Sequence, residues 1–428
     1  MKRSRTEAIA LIDANNFYAS CEQSISPYLR NKPVVILSNN DGCIIARSPE
    51  ARALKIKMGS PYFRVKERLN KLDVKVLSSN YPLYGDMSKR LMNLLMNYCQ
   101  EIEIYSIDEA FVSVFRPKDQ DLHPWARQLR SSIYQNLGIT LTIGIGENKV
   151  RAKIANKLAK NIDSSAGIFD LARIKDEDNY LKEISVDKIW GIGKQTSNWL
   201  RSKGIKNSKE LRDMDENQII KKLGIVGRRL QLELKGNKCL PIEKIRKQKK
   251  EIQISRSFGK PITKLEDLTQ ALAIYAINAS AKMRSQNLKT STIRVFARTS
   301  HYSNQPYQRS VYKKLINATD NTNTILKIVS ALSKEVYNPE YKLSKAGVLM
   351  QDLTNCKYSQ QSFIKYESQK EHTKSVKLMK TIDSLNNRFN NEAITWAITK
   401  KPQEWSIKRN SLSRVSTTDI NKIPNINL

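Results

Sequence analysis

The chain has 428 residues, more than one hydrophobic core usually accommodates, so about two to four domains are expected. Its 74 lysines and arginines against 41 acids give a formal net charge of +33 and a pI near 9.9, which excludes an ordinary near-neutral enzyme surface and points to a polyanionic partner. No apolar run approaches the roughly 20 residues of a bilayer span, so nucleic acid is expected as that partner, not membrane.

The opening stretch MKRSRTEAIALID lacks the longer apolar region of a secretory signal, and a cytoplasmic location is expected. From residue 8, AIALIDANNFYASCEQ begins as an apolar strand stem and continues into a helix-compatible segment, and VVIL at 34–37 reads as a second buried strand. Strand-like stretches return in IEIYSIDEAFVSVF (102–115) and ITLTIGIG (139–146), separated by the helix-like WARQLRSSIYQNL, the pattern of helices laid over one sheet. Beyond residue 185, VDKIWGIGKQTSNWLRSKGI sets a Gly-Ile-Gly turn between short helical patterns, with Gly204 ending the second, as in a helix-hairpin-helix unit. Lys244 to Lys250 are strongly basic with no core-forming pattern, and read either as a tether between domains or as a solvated charged face. Residues 253–353 alternate a helix-like segment (LEDLTQALAIYAINASAKMRS) with strands such as TIRVFAR and close with KAGVLMQDL, which suggests a separate α+β domain. The remainder is polar, with one helical stretch, KSVKLMKTIDSLNNRF, and a final segment expected to be partly disordered.

Candidate chemistry lies with three acids. Asp13 ends the strand-like IALI, while Asp108 and Glu109 sit in YSIDEAFVSV, where charge is costly unless compensated. If the two strands are neighbours, three carboxylates converge, and oxygen ligands of this kind hold Mg²⁺ in two-metal phosphoryl chemistry. Successive strand residues point to opposite faces, so Asp108 and Glu109 serve one site only near a strand end or bend. The three histidines are in no triad-like or zinc-like setting, and the five scattered cysteines have no CxxC or His-paired spacing, which disfavours Ser/His and zinc schemes. Lys149, Lys153, Lys157 and Lys160 recur at helical spacing, as on a solvated or phosphate-facing helix side. At Gly191-Ile192-Gly193 the missing Cβ atoms let backbone amides approach a phosphate, a grip on duplex DNA that reads no bases.

Together the strings LIDANNFYASCE (11–22), KPVVILSNNDGCIIARSPEARALKIKMGSPYF (32–63), SNYPLYGDMSKRLM (79–92), IYSIDEAFVSV (104–114) and TIGIGENKVRAKIANKLAK (142–160) resemble the motifs of Y-family translesion DNA polymerases. The resemblance is to the UmuC group, the catalytic subunits of bacterial DNA polymerase V, and extends to LMKTIDSLNNRF near the C-terminus, which relatives outside that group tend to lack. It implies an α/β and α+β multidomain right hand. A ferredoxin-like palm would span 1–17 and 84–172, small fingers 18–83, and a helical helix-hairpin-helix thumb 173–240; a basic linker at 241–252, an α+β little finger at 253–353 and a partner-binding tail at 354–428 would follow. It also implies that Asp13, Asp108, Glu109 and the Ala14 carbonyl bind two Mg²⁺ ions. Phe17, Tyr18, Arg52, Gly59 and Lys160 would contact the incoming dNTP: Tyr18 as the steric gate against a ribose 2′-hydroxyl, Arg52 and Lys160 on the triphosphate, and Gly59 over the nascent base pair. Pro49 departs from the pattern, standing where several relatives outside the UmuC group carry a triphosphate-contacting tyrosine. The implied partners are damaged primer-template DNA, a processed UmuD-like dimer, RecA filament and the sliding clamp, the last through Gln360, Phe363 and Ile364 of the peptide QQSFI.

Error-prone translesion synthesis in the SOS response is the function this resemblance implies. The residues by themselves also accommodate a two-metal nuclease with a helix-hairpin-helix module, or a DNA-binding scaffold whose acids serve structure alone.

Overall fold

The computed structural model describes residues 5–117, 121–244, 248–356, 369–389, 393–399, 404–413 and 417. The chain divides into two compact units, 1–38 with 42–246 and 410–428, and 39–41 with 247–409. In chain order the first unit carries β1 (Arg5–Ala14), α1 (Phe17–Ile25), β2 (Val34–Leu37), β3 (Ile44–Arg47), α2 (Pro49–Ala53), α3 (Tyr62–Lys71), β4 (Lys75–Ser78), α4 (Tyr81–Met96) and β5 (Glu101–Ile104). It continues with β6 (Glu109–Pro117), α5 (His123–Leu137), β7 (Leu141–Gly146), α6 (Lys149–Asn161), β8 (Ile168–Asp170), α7 (Glu177–Glu183), α8 (Lys194–Ser202), α9 (Ser208–Asp213) and α10 (Glu216–Leu234).

A five-stranded sheet in the order β5-β6-β1-β7-β8 organises this unit. The central strand β1 is antiparallel to both β6 and β7, and it is buried on both faces, which is why AIALIDA reads as one apolar run without alternation. Ala8, Ala10 and Ile12 join the large core shared with α1, α4 and α5, while Ile9 and Leu11 meet Phe111 and Ala152 on the opposite side. That opposite side is covered by α6, which starts at Asn148, whose side chain accepts from the Arg151 amide at 3.0 Å. Helix and sheet are unusually close here: a Cβ on Gly144 would stand 2.0 Å from the Asn156 nitrogen, and one on Gly146 2.8 Å from the Ala152 nitrogen. The two glycines of TIGIG are therefore packing requirements, because backbone meets backbone at those positions.

The stretch 102–115, which reads as one strand, is divided. Tyr105 to Asp108 form a turn between β5 and β6, in which the Tyr105 and Ser106 amides both donate to the Glu109 carbonyl at 3.1 Å. Ser106 Oγ accepts from the amides of Asp108 at 3.3 Å and Glu109 at 3.0 Å, a local side-chain bond that competes with strand continuation. A smaller sheet, β3-β2-β4, pairs β2 antiparallel with β3 and parallel with β4. The helical region from α7 to α10 closes a core with α6. Within it Arg151, almost wholly buried, is held by Glu147 at 2.5 Å and by Glu177, and Arg212 also binds Glu177, at 3.1 Å. The expected helix ahead of the Gly-Ile-Gly turn is a single 3-10 turn, Val186–Lys188, because VDKIW is too short for a second α-helical turn. A break within α10 was not foreseen: Gly224 adopts φ 63° and ψ −158°, a conformation essentially open to glycine alone.

The second unit carries β9 (Ile252–Ile262), α11 (Leu265–Arg284), β10 (Leu288–Arg298), β11 (Gln308–Thr319), α12 (Thr322–Val336), β12 (Leu343–Asn355) and α13 (Gln369–Arg388). Its antiparallel sheet runs β11-β10-β12-β9, with α11 and α12 packed on it over one core. Helix α13 is tied to α11 by Arg284, whose Nε and Nη2 donate to the two Asp383 carboxylate oxygens at 2.7 Å each. The same guanidinium donates to the Asp320 carbonyl and the Thr322 hydroxyl, both at 2.8 Å. Trp405 is buried against Phe258 and Tyr275 in this unit. Residues 245–247 of the basic tether and the peptide holding Gln360, Phe363 and Ile364 lie outside the described residues.

Replacing Gly144 with alanine is expected to lower unfolding stability by about 3 kcal/mol or more, because the backbone of α6 must lift from β7. Urea titration checks this, and a cost under about 0.5 kcal/mol would contradict the close approach.

Candidate active site

The register of β1 and β6 sets Asp13 directly opposite Glu109, so the two side chains leave the sheet on the same face. Asp108 precedes the first paired residue of β6, in the turn, and its carbonyl accepts from the Ala14 amide at 2.9 Å. The bend that adjacent acids require is thus supplied by Ser106, which also donates to Asp108 Oδ1 at 2.6 Å. The Asp108 carboxylate acts electrostatically on Tyr18 and Cys21, on the α1 side.

Helix α6 answers these acids with lysines. Lys160 Nζ lies 2.6 Å from Asp13 Oδ2, and Lys153 Nζ lies 3.0 and 2.8 Å from the two Glu109 oxygens. Lys149 reaches Glu103 at 2.5 Å and is 4 % exposed. The row read as a solvated or phosphate-facing helix side is therefore largely an acid-binding one. Lys157 differs: burial first, and then Lys188, pushes its ammonium below the usual lysine range. Asp13 is 7 % exposed, and burial pushes its carboxyl up to about 6, with Glu109 adding to the rise and Lys160 opposing it.

A buried carboxylate with a second, partly buried one directly opposite calls for a cation. Hard carboxylate oxygens are the donors that Mg²⁺ prefers, and the two lysines now supply the positive charge, so the residues fit a divalent ion. Among the described residues no three acidic, histidine or cysteine side chains converge tightly enough to clasp one as they stand. Asp13, Glu109, Lys153, Lys157, Lys160 and Trp190 line a cleft of about 320 Å³.

The other expected residues are distributed around this cleft and beyond it. Tyr18 is stacked on Tyr84, with ring centroids 4.5 Å apart and planes at 16°, and meets the edge of Tyr81 at 6.1 Å. Phe17 is 4 % exposed and belongs to the core under α1. Arg52 is exposed on the short helix α2, where Ser48 caps the helix by accepting from the Ala51 amide. Gly59 is exposed at φ 76° with open space where a side chain would be. Gly191 and Gly193 are exposed, Gly191 at φ 89°, while Ile192 is buried at 9 %. Sequence reasoning placed Lys153 only in a solvated or phosphate-facing lysine row, and missed Tyr105 and Trp190 as participants. The Trp190 Nε1 donates to the Tyr105 hydroxyl at 2.9 Å, and Lys153 Nζ sits 4.3 Å from the Tyr105 ring centroid, so the residue before the glycine turn is connected to the lysine on Glu109.

Between its ordinary value of 3.8 and about 6, the Asp13 carboxyl holds a proton in the folded chain but not in the unfolded one, so folding stability falls as pH rises through that window and stays lowered above it. In chelator, Asp13→Asn is expected to raise the unfolding free energy at pH 7.5 by about 3 kcal/mol at most, and to lose about half of that advantage at pH 5. Calorimetry at the two pH values checks the expectation, and an advantage that grows toward pH 5 contradicts it.

Comparison with known proteins agrees with this architecture. Residues 12–157 match the model of the impB/mucB/samB family, residues 249–364 that family's C-terminal domain, and residues 376–426 a domain of unknown function, DUF4113. The protein UmuC of Salmonella typhimurium (strain LT2) is 36% identical over 413 residues, 96% of this chain and 97% of its own length. The protein ImpB of Salmonella typhimurium is 35% identical over 97% of this chain and 98% of its own, and a DNA polymerase IV of Oceanobacillus iheyensis is 28% identical over 92% of each. Among solved structures, a Y-family DNA polymerase chimera superposes with a TM-score of 0.62 at 21% identity, covering 81% of this chain and 99% of its own. With near-complete coverage of UmuC and ImpB, and a Y-family DNA polymerase chimera as structural neighbour, the chain belongs to the impB/mucB/samB family and has the fold of a Y-family DNA polymerase.

Proposed function

We propose that this chain is an error-prone, DNA-directed DNA polymerase that carries out translesion synthesis in the SOS response, joining dNTPs to a primer 3′-hydroxyl with release of pyrophosphate. The observation that carries the reading is the cross-strand pair Asp13 and Glu109 beside the turn residue Asp108, faced by Lys160, in a chain of this family. In this reading residues 1–17 and 84–172 act as palm, 18–83 as fingers, 173–240 as thumb and 253–353 as little finger.

Asp13, Asp108, Glu109 and the Ala14 carbonyl would hold two Mg²⁺ ions, which when bound activate the primer hydroxyl and neutralise charge on the leaving oxygen. The remaining work falls to the chain itself. Lys160, pre-placed on Asp13 at the cleft, offers its ammonium to the triphosphate, and exposed Arg52 provides a second positive charge for it. Lys153 holds both Glu109 carboxylate oxygens and keeps them aimed across the cleft. The Tyr18 ring, fixed by its stack on Tyr84, occupies the space of a ribose 2′-hydroxyl and selects deoxynucleotides. Open space at Gly59 leaves the nascent base pair loosely covered, which suits a distorted template. Exposed Gly191 and Gly193 offer their backbone to a phosphate on either side of Ile192, whose own amide donates to the Ile189 carbonyl, and the net charge of +33 supplies affinity for DNA without sequence preference. A cytoplasmic location and UmuD-like, RecA and sliding-clamp partners belong to the same reading; no described helix is long and apolar enough to cross a membrane.

Primer extension across a template abasic site, with Mg²⁺ and dNTPs and with or without a UmuD-like dimer, tests the proposal. Wild type is expected to extend, and Asp108→Ala to fall by about a hundredfold or more, the scale of losing preorganised charge at a transition state. Primer shortening in the absence of dNTPs would instead identify a nuclease, and equal extension by the variant would remove Asp108 from the chemistry. Affinity for primed DNA is expected to fall linearly in log–log form with salt, by roughly 10³-fold between 50 and 200 mM if six or more phosphates are contacted. Fluorescence anisotropy over that range measures the slope, and a flat response rules out an electrostatic grip.

A further inference from the structure

Glu22 stands apart from the cleft and is used by none of the chemistry above. It lies four residues after Tyr18 on α1, so the two share a helix face, and it is 0 % exposed. Its Oε1 accepts from the Tyr84 hydroxyl at 2.9 Å and from the Ser413 hydroxyl at 3.2 Å, while Oε2 has no hydrogen-bond partner among the described residues. Burial pushes its carboxyl upward, and the two hydroxyls only partly offset this. An under-partnered buried carboxylate is sensitive to every donor it has.

One of those donors comes from the far end of the chain. The Ser78 amide donates to the Ser411 carbonyl at 2.9 Å, the Ser411 amide donates to Ser78 Oγ at 3.0 Å, and Leu412 bridges Ser78 in parallel fashion. Asn80 Nδ2 then donates to Ser413 Oγ at 2.9 Å. Asn80 also caps α4, accepting from the Leu83 amide, and α4 carries both Tyr81 and Tyr84. The segment 411–413 is thus bonded to the end of β4, to the cap of α4 and to the carboxylate that anchors Tyr84. These are the supports of the ring that stacks on Tyr18.

We propose that residues 411–413 form a strap whose Ser413 hydroxyl, through Glu22 and Tyr84, seats the Tyr18 ring and so helps to set discrimination between deoxy- and ribonucleotides. The inference deepens the proposed role of Tyr18 and rests on it. Ser413 and Glu22 are positioning residues: neither touches the nucleotide. The strap lies within the stretch matched by the domain of unknown function, to which it assigns a task in nucleotide selection.

The test is the ratio of kcat/KM for each dNTP to that for the matching rNTP, measured on full-length protein with an undamaged primer-template. Ser413→Asp, which sets a second carboxylate against Glu22, is expected to reduce the ratio about tenfold, the worth of one charged hydrogen bond, with dNTP incorporation near wild type. Ser413→Ala should shift it in the same direction by less, and Ser413→Thr, which keeps the hydroxyl, should restore it. Tyr18→Ala serves as the control. If Tyr18→Ala admits rNTPs while both Ser413→Asp and Ser413→Ala keep the wild-type ratio, the strap is overturned and the gate stands. An equal loss of dNTP and rNTP incorporation in both Ser413 variants also overturns it, since it marks a merely structural contact. A wild-type ratio in Tyr18→Ala overturns the gate itself, and the strap with it.

Discussion

Contact between the backbones of α6 and β7 is the constraint from which the site follows. Without side chains at Gly144 and Gly146 the helix lies directly on the sheet, next to the central strand β1. At that depth Lys153 and Lys160 reach across to Glu109 and Asp13, which β1 and β6 hold opposite each other. A helix lifted by one methyl group would carry its ammonium groups away from Glu109 and from Asp13, whose charged form burial already disfavours. Two carboxylates in the interior of a fold are tolerable because their countercharges are built in, and exchangeable because those countercharges are flexible lysine side chains.

Much of this was legible in the sequence, for reasons that can be named. The buried strands are short apolar runs bounded by turn residues, and the amphipathic segments that became α5, α11 and α13 kept their period over enough residues to be unambiguous. The division of the 102–115 stretch was not legible: an apolar pattern persists through Tyr105 and Ile107, and only the bonds of the Ser106 hydroxyl to two following amides mark the turn. The sequence argument nonetheless stated the condition, a bend beside Asp108 and Glu109, that the turn satisfies. Helix α10 was similarly opaque, since neither Gly224 nor Gly227 in a helical pattern announces which of them takes a φ of 63°.

The lysine row shows the limit most clearly. Helical spacing placed Lys149, Lys153, Lys157 and Lys160 near one side of α6, but periodicity does not say whether a face meets water or an acid-bearing sheet. That depends on Glu103, Glu109 and Asp13, which lie 44 to 147 positions away along the chain. Trp190 and Tyr105 were invisible for the same reason, being joined by a hydrogen bond across 85 positions. Local pattern is read from a sequence; long-range pairing is not.

Arg284 carries an implication for how such chains diverge. Its side chain, carried by α11, is 8% exposed, and its guanidinium is shared between the start of α12 and Asp383 of α13. If a descendant lost α13, two of those donors would face no acceptor in a largely dehydrated place, at a cost exceeding that of an ordinary surface deletion. The helix and the arginine are therefore expected to be inherited as a linked pair. Lineages that shed the C-terminal helix should have replaced the cation at this position by a smaller or uncharged residue, and grafting the helix onto such a lineage should succeed only when the arginine is transplanted with it.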